Sequence, residues 1–424
     1  MILKTALLPA RRILVALMFI SFYFKIAAQL NMTLRSHLSY PEELSDIWGY
    51  QAKDGTEYAL VGLYSGVSIV SLQDPDAPRE LFYIQGANSQ WRDIKTWKDF
   101  AYVTNETGDG LMVIDLRQLP DTVLFDNWAP AIPDLGTLSS CHNLYIDEFG
   151  KCYLAGCNLN RGGNLIIDVN TNPGQPAYLG RTQSVYSHDS YVRSNRLYSS
   201  DLNSGLNIYD VSDPATPAFL GNTQTPFRFT HNAWLSDDGK IAFTTDERGN
   251  APVAAYDISD PSNIKYLDEF RPAASLGTGV IPHNVHVKDD YLVISYYTDG
   301  CVVVDASRPE NLVEIGNYDT WQSNSTGFHG AWGAYPFLPS GLILVSDIES
   351  GLYVLEPKYQ RAAYLEGTVR DSVNGNPLTG VSVAIIAEQT NTASSGLNGI
   401  YKTGLGTPGT FTVIFSKPGY INKL

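Results

Sequence analysis

Five of the seven histidines in this chain, His142, His188, His231, His283 and His329, occupy one recurring place, each opening a short alternating run. Imidazole suits two kinds of chemistry, ligation of a divalent metal and proton transfer near neutral pH. A second recurring place supplies carboxylates, Asp201, Asp246, Asp299 and Asp347, with Asn158 as their counterpart in the third copy. If each histidine opens one strand and each aspartate closes the next, pairing about the turn sets His188 beside Asp201, His231 beside Asp246 and His329 beside Asp347. The expectation is a ring of imidazoles and carboxylates around one channel mouth. In it His231, His283 and His329 are the candidate ligands of a divalent metal, assisted by Asp246, Asp299 or Asp347. Ser45 and Arg92 hold the histidine place in the first two copies. Arg92 would either meet a carboxylate or phosphate at the mouth or pair with Asp93 or a neighbouring aspartate. The ring also has an architectural reading, and it weighs more. A residue type that returns in five repeats is what bonding between repeats selects, whereas a ligand site singles out one or two copies.

The elements that carry these residues repeat as well. An apolar triplet, an Asp or its stand-in and a Pro-bearing turn return seven times, as in Leu206-Asn-Ile-Tyr-Asp-Val-Ser-Asp-Pro, Val253-Ala-Ala-Tyr-Asp-Ile-Ser-Asp-Pro and Val302-Val-Val-Asp-Ala-Ser-Arg-Pro. A second phrase precedes each copy, and its Asp or Asn place falls at 46, 93, 143, 189, 232, 284 and 330. A period near ~40–50 residues with short alternating strands marks a β-propeller. The expected fold is all-β: seven blades of four strands, with the histidine strand innermost. Glu356-Pro357 follows the third strand of the seventh unit directly, so the stretch from Met32 to Tyr40 is expected to complete that unit and remove an open sheet edge.

His283 and His286 form H-x-x-H, but on a strand residues three apart point to opposite faces, so one metal does not take both. Trp48, Tyr145, Tyr191, Trp234 and Trp332 fill the place of His286 elsewhere and read as inter-blade core. His37 lies in the closing stretch and carries no signal. Cys141 and Cys157 flank a hairpin centred near Phe149 and are expected to form a disulfide, with Cys152 and Cys301 free and buried. The chain has no G-x-S-x-G elbow, no H-E-x-x-H and no phosphate-binding G-x-x-x-x-G-K-[ST], and Asp246 to Gly249 is too short for an EF-hand loop.

The formal charge is −15 over 424 residues. Such a surface repels phosphate backbones, so nucleic acid is not an expected partner. Residues 1–28 read as a signal peptide: Lys4, Arg11 and Arg12, an apolar run from Ile13 to Tyr23, then Ala27-Ala28. Its removal leaves the mature chain four charges more negative. No transmembrane span is expected afterwards, and the location follows as secreted, extracellular or cell-surface, by Gram-negative bacterial export.

The repeated phrases resemble the LVIVD-repeat family, found in secreted choice-of-anchor B proteins, roughly from Leu44 to Pro357. That resemblance implies an exported or surface-attached propeller and no particular reaction. Past a linker at Lys358 to Ala363, the run from Leu365 through Pro377-Leu378-Thr-Gly-Val-Ser-Val383 to Gly419-Tyr420 is similar to the carboxypeptidase regulatory-like domain. It implies a small transthyretin-like, Ig-like β-sandwich of accessory character, one strand short of the usual domain. The expected domains are therefore 29–359 for the propeller and 360–424 for the sandwich. The expected function is a binding or scaffold module for a protein or glycan partner, with no established cofactor. A metal-dependent hydrolase at the channel mouth and a structural matrix or adhesion component are the alternatives. An enzyme is the less expected of these.

Overall fold

The computed structural model describes residues 29–323, 325–387 and 391–424; the expected signal peptide lies outside the described residues. The chain is all-β, and none of its helices is long and apolar enough to cross a membrane among the described residues. Among the described residues, seven four-stranded antiparallel sheets follow one another along the chain. Their innermost strands are Leu44–Gln51, Ile94–Trp97, Asn143–Ile146, Asp189–Arg193, Thr230–Leu235, Asn284–Lys288 and Ala331–Tyr335. Each innermost strand touches the next, and the last touches the first, so the sheets close into a ring.

The repeated phrases explain this order locally. The aspartate that ends the third strand of the second to the sixth sheet turns its carboxylate onto the backbone two residues on. Asp210 accepts from the N–H of Ser212 at 2.9 Å, Asp257 from Ser259 at 3.0 Å and Asp305 from Ser307 at 3.0 Å. A side chain that mimics a backbone turn reverses the chain toward the fourth strand. The Pro-bearing turn then lies against the preceding sheet. A Cβ on Gly221 of the fourth sheet would fall 1.8 Å from the Pro261 carbonyl oxygen of the fifth, so only glycine admits that approach.

A four-stranded sheet cannot bury both of its own faces, and here the core lies between sheets. Val253 and Ala255 of the fifth sheet pack with Val285, Leu292 and Val302 of the sixth. Leu344, Leu352 and Val354 of the seventh pack with Ile47, Val61 and Val70 of the first. The seventh sheet takes its outer strand from the other end of the described chain. Met32–Leu38 pairs antiparallel with Gly351–Pro357, with Leu38 opposite Leu352 and Met32 opposite Pro357. Most of the backbone groups that would otherwise line an open edge are thereby satisfied.

Beyond the ring, Ala363–Thr368 pairs with Ile400–Leu405, and Ser382–Ile386 lies between Asn391–Ser394 and Thr412–Ser416. This part docks on the outer strand of the sixth sheet. Asn311 Nδ2 donates to Glu366 at 2.8 Å and to the Thr403 carbonyl at 3.2 Å, and Lys402 pairs with Glu310 at 3.0 Å. A cleft of about 470 Å³ runs along the junction, lined in part by Asp268, Glu314, Lys402 and Phe411. It lies away from the histidines.

Candidate functional site

Two layers of side chains ring the channel three residues apart, the outer one at or just ahead of the start of each innermost strand, with Arg92 turned away from the mouth. The outer layer is Ser45, Arg92, His142, His188, His231, His283 and Trp332. The inner layer is Trp48, Lys95, Tyr145, Tyr191, Trp234, His286 and Tyr335. The strand register fixes both: His286 lies opposite Val293, and Tyr335 lies opposite Leu344 in the equivalent position of the seventh sheet.

This register corrects the seventh copy. His329 was expected at the ring place, and Trp332 occupies it. Its indole lies 4.5 Å from the His283 ring, and its carbonyl accepts a hydrogen bond from His283 Nδ1. A β-bulge marks the place, with Ala331 opposite Asp347 and Gly333 opposite Ser346, leaving Trp332 as the extra residue. The fifth sheet has the same bulge, with His231 as the extra residue between Thr230 and Asn232. A bulge re-aims one side chain while the strand continues. His329 instead sits in the preceding loop, stacked on Trp321 at 4.9 Å, with its Nδ1 2.5 Å from Glu349.

The aspartates are corrected as well. Asp246 accepts from the N–H of Phe227 at 2.7 Å and of Phe229 at 2.8 Å, and so braces a loop instead of facing His231. Asp201 is held by Ser199 and Asn207, both at 2.5 Å. Burial raises its pKa to about 7. Asp347 accepts from the N–H of Ser350 at 2.9 Å, within its own turn, and Asp299 accepts from the Ser275 hydroxyl. The carboxylates that do reach the imidazoles are glutamates one or two positions further along, Glu106, Glu247 and Glu349. Glu247 is next to Asp246, and adjacent residues on an extended chain point to opposite sides, so for Glu247 that alternation was the available signal.

Four imidazoles form a continuous row of mutually tilted rings. Ring centroids are 4.0 Å apart for His142 and His188, 4.2 Å for His188 and His231, and 4.5 Å for His231 and His283. At one end His142 Nδ1 makes an ordinary contact with Glu106 at 2.6 Å. At the other end Glu247 lies between two rings, with Oε2 3.7 Å from His231 Nε2 and Oε1 3.9 Å from His283 Nε2. The Tyr297 hydroxyl donates to Glu247 Oε1 at 2.7 Å. Burial, then the neighbouring His231, holds His283 well below the ordinary imidazole pKa.

Arg92 meets neither expectation. It is 1% exposed, and its guanidinium donates to the carbonyls of Leu63 at 2.7 Å, Tyr64 at 3.2 Å and Ala87. Its hydrogen bonds hold the first sheet to the loop ahead of the second, and it does not project into the mouth.

The inner layer is packed. Trp234 stacks on Phe337 at 5.6 Å, and His286 lies 4.7 Å from Trp234 and 5.8 Å from Phe337. Phe337, which follows the seventh innermost strand, thus plugs the channel. Lys95 lies 4.4 Å from the Trp48 ring centroid and pairs with Asp46 at 3.2 Å and with Asp93. Burial alone would lower the Lys95 pKa, but the two carboxylates outweigh it and hold the ammonium above its ordinary value. Burial, then Lys95, pushes His286 down to about 3.

Between the layers the Asp or Asn place latches sheet to sheet. Asp46 accepts from the Ile94 N–H at 2.9 Å, Asp189 from Asn232 Nδ2 at 2.9 Å and Asn232 from the Val285 N–H at 3.0 Å. The series ends at Gly333, where a Cβ would meet Ile47 and Ser346 at 2.9 Å. The architectural reading therefore belongs to this place, one residue past the histidines.

Cys141 and Cys157 are disulfide-bonded beside His142, and Cys152 and Cys301 are free and buried. Large rings rim the mouth. Phe328 lies 5.4 Å from Tyr297, Tyr186 lies 6.4 Å from His188, and Trp91 stacks at 5.9 Å on Trp332. Phe328 is 54% exposed and Tyr186 41%.

With this geometry in hand, comparison with known proteins is informative about fold. The model of the LVIVD repeat matches residues 186–225 and 282–320, in the fourth and sixth sheets. No curated protein matches the chain. Among solved structures, the RRP9 WD40 repeats align at 9% identity with a TM-score of 0.54, over 76% of this chain and 97% of that one. The extracellular domain of a protein described as the hybrid two component system BT4673 from B. thetaiotaomicron aligns at 12% identity with a TM-score of 0.52, over 92% of this chain. The alignment spans about half of that structure, 48%. The chain thus carries LVIVD repeats on a β-propeller-like fold.

Proposed function

We propose that this protein is an exported seven-bladed propeller, one blade per four-stranded sheet, that binds a protein or glycan partner at its histidine-bearing mouth. The C-terminal strands form a transthyretin-like sandwich that serves as an accessory or spacer. Export rests on the leader pattern of residues 1–28. The observation that carries the binding reading is the rim itself. Exposed Phe328 and Tyr186 stand with Trp91 and Trp321 beside the part-exposed carboxylates of Glu106 and Glu349. Aromatic faces with adjacent acceptors suit a sugar ring with its hydroxyls, or an aliphatic and basic segment of a protein. The plugged inner layer favours a partner seated on the mouth over one threaded through the channel.

The test is a titration of the mature protein with a panel of oligosaccharides and basic peptides, read by tryptophan fluorescence, since Trp91, Trp321 and Trp332 lie at the rim. A saturable change that a Phe328→Ala/Tyr186→Ala variant weakens about 10-fold or more supports the reading. Binding that is indifferent to that variant, or no binding across both panels, rejects it.

A further inference from the structure

We propose that His231 Nε2, His283 Nε2 and a carboxylate oxygen of Glu247 form a binding site for one divalent transition-metal ion of the zinc type. The ion needs no partner molecule at the mouth. Three ligand atoms, one from each residue, lie within 4.8 Å of one another. The Glu247 oxygens stand 3.7 Å and 3.9 Å from the two Nε2 atoms. Those gaps are too long for hydrogen bonds. They approach the separation of two ligands across a tetrahedral ion with bonds of about 2.0–2.2 Å. The other histidine–glutamate pairs differ in this respect. His142–Glu106 at 2.6 Å and His329–Glu349 at 2.5 Å are closed contacts with no room for an ion.

Two further observations point to a ligand. His231 is 3% exposed, its Nδ1 has no hydrogen-bond partner, and its Nε2 faces only the distant Glu247 oxygen. Hydrogen bonding does not account for burying that imidazole, and Nε2 is the nitrogen it aims into the cluster. The surroundings of the other two residues also suit metal ligation. His283 Nδ1 donates to the Trp332 carbonyl, which fixes the tautomer and leaves the Nε2 lone pair free. The Tyr297 hydroxyl holds Glu247 through Oε1, leaving Oε2 toward His231. Arg248 turns away from the cluster, its guanidinium 3.9 Å from the Phe229 ring centroid. Among the described residues the ion-pair partners of Glu247 are the two imidazoles. Two histidines and one carboxylate match the donor set of sites that keep a fourth position for water. The part-exposed side of Glu247 places that position toward the mouth.

The experiment uses the full mature chain stripped with a chelator and dialysed against zinc alone, with bound metal counted by elemental analysis. Cobalt(II) then replaces zinc as a visible-absorption probe of tetrahedral geometry. One zinc per chain is expected, with an intense cobalt band. Glu247→Gln keeps the shape and the acceptor for Tyr297 and is expected to weaken zinc binding about 100-fold while its melting temperature stays within a few degrees. Tyr297→Phe is expected to weaken it about 10-fold, as loss of an outer-shell partner does. His329→Ala is expected to leave it unchanged. The proposal is overturned if the stripped chain takes up no stoichiometric zinc, or if uptake survives Glu247→Gln or is abolished by His329→Ala.

Discussion

The outer layer of the mouth has two unlike arcs built on one repeat position. From the third sheet to the sixth the place is histidine, and each ring rests on the next at 4.0–4.5 Å. From the seventh sheet through the second it is Trp332, Ser45 and Arg92, and in the first two sheets the polar groups are spent on backbone. The Ser45 hydroxyl accepts from the Arg92 N–H at 3.2 Å, and the Arg92 guanidinium saturates three carbonyls. The second arc includes the seam where the ring closes, and there side chains are used to join sheets. In the first arc Asn143, Asp189 and Asn232 latch the sheets one residue later, as Asp46 does in the second arc, and His283 adds a bond from its Nδ1 to the Trp332 carbonyl of the seventh sheet. Adjacent positions of the repeat thus meet different surroundings.

The comparison predicts unequal costs of mutation. Arg92→Ala is expected to cost about 4 kcal/mol of unfolding free energy in a denaturant titration, since it leaves a cavity and three carbonyls without donors. Lys95→Met, just beneath, is expected to cost about 3 kcal/mol, because Asp46 and Asp93 would remain buried without their cation. Adding Asp93→Asn to it should recover part of that loss, and no recovery would mean the cost is one of packing. His188→Ala in the histidine arc is expected to cost only about 1 kcal/mol, the worth of its ring contacts with His142 and His231. A cost equal to that of Arg92→Ala would erase the distinction between the arcs.

The smallest expected effect is a pH dependence carried by Asp201 in the fourth sheet. Asp201 is surrounded by Ser199 and Asn207, with Tyr209 the nearby titratable group, and its folded pKa of about 7 exceeds the unfolded value. The folded state therefore binds the extra proton between about pH 4 and pH 7. Its contribution to stability is present at the acid end of that window and is lost as pH rises through it, levelling above. Asp201→Asn should flatten this slope, gaining about 2 °C or more in melting temperature at pH 8 relative to pH 5 when set against the parent. An unchanged difference between the two pH values would show that Asp201 titrates normally.

Much of the fold was legible in the sequence, for local reasons. The Asp-bearing turn after each third strand, the alternation within strands and the missing outer strand of the seventh unit are all written in neighbouring residues, and each has its counterpart in Asp210, Asp257 and Asp305 and in the pairing of Met32–Leu38 with Gly351–Pro357. The site was legible only in part. Histidine recurrence located His142, His188, His231 and His283. It misplaced the seventh copy, because the phrase His329-Gly330-Ala331-Trp332 begins three residues ahead of the ring place, which Trp332 holds.

What the sequence by itself determined is the repeat, its period and the strand that carries each imidazole, since these follow from patterns a few residues long. Tertiary structure alone decided that Arg92 turns inward to three carbonyls, that Phe337 plugs the inner layer and that Glu247, not an aspartate, spans two histidines. Each of those outcomes depends on how separate strands and loops of the ring approach one another. A single extra residue in a strand is enough to change which side chain points inward.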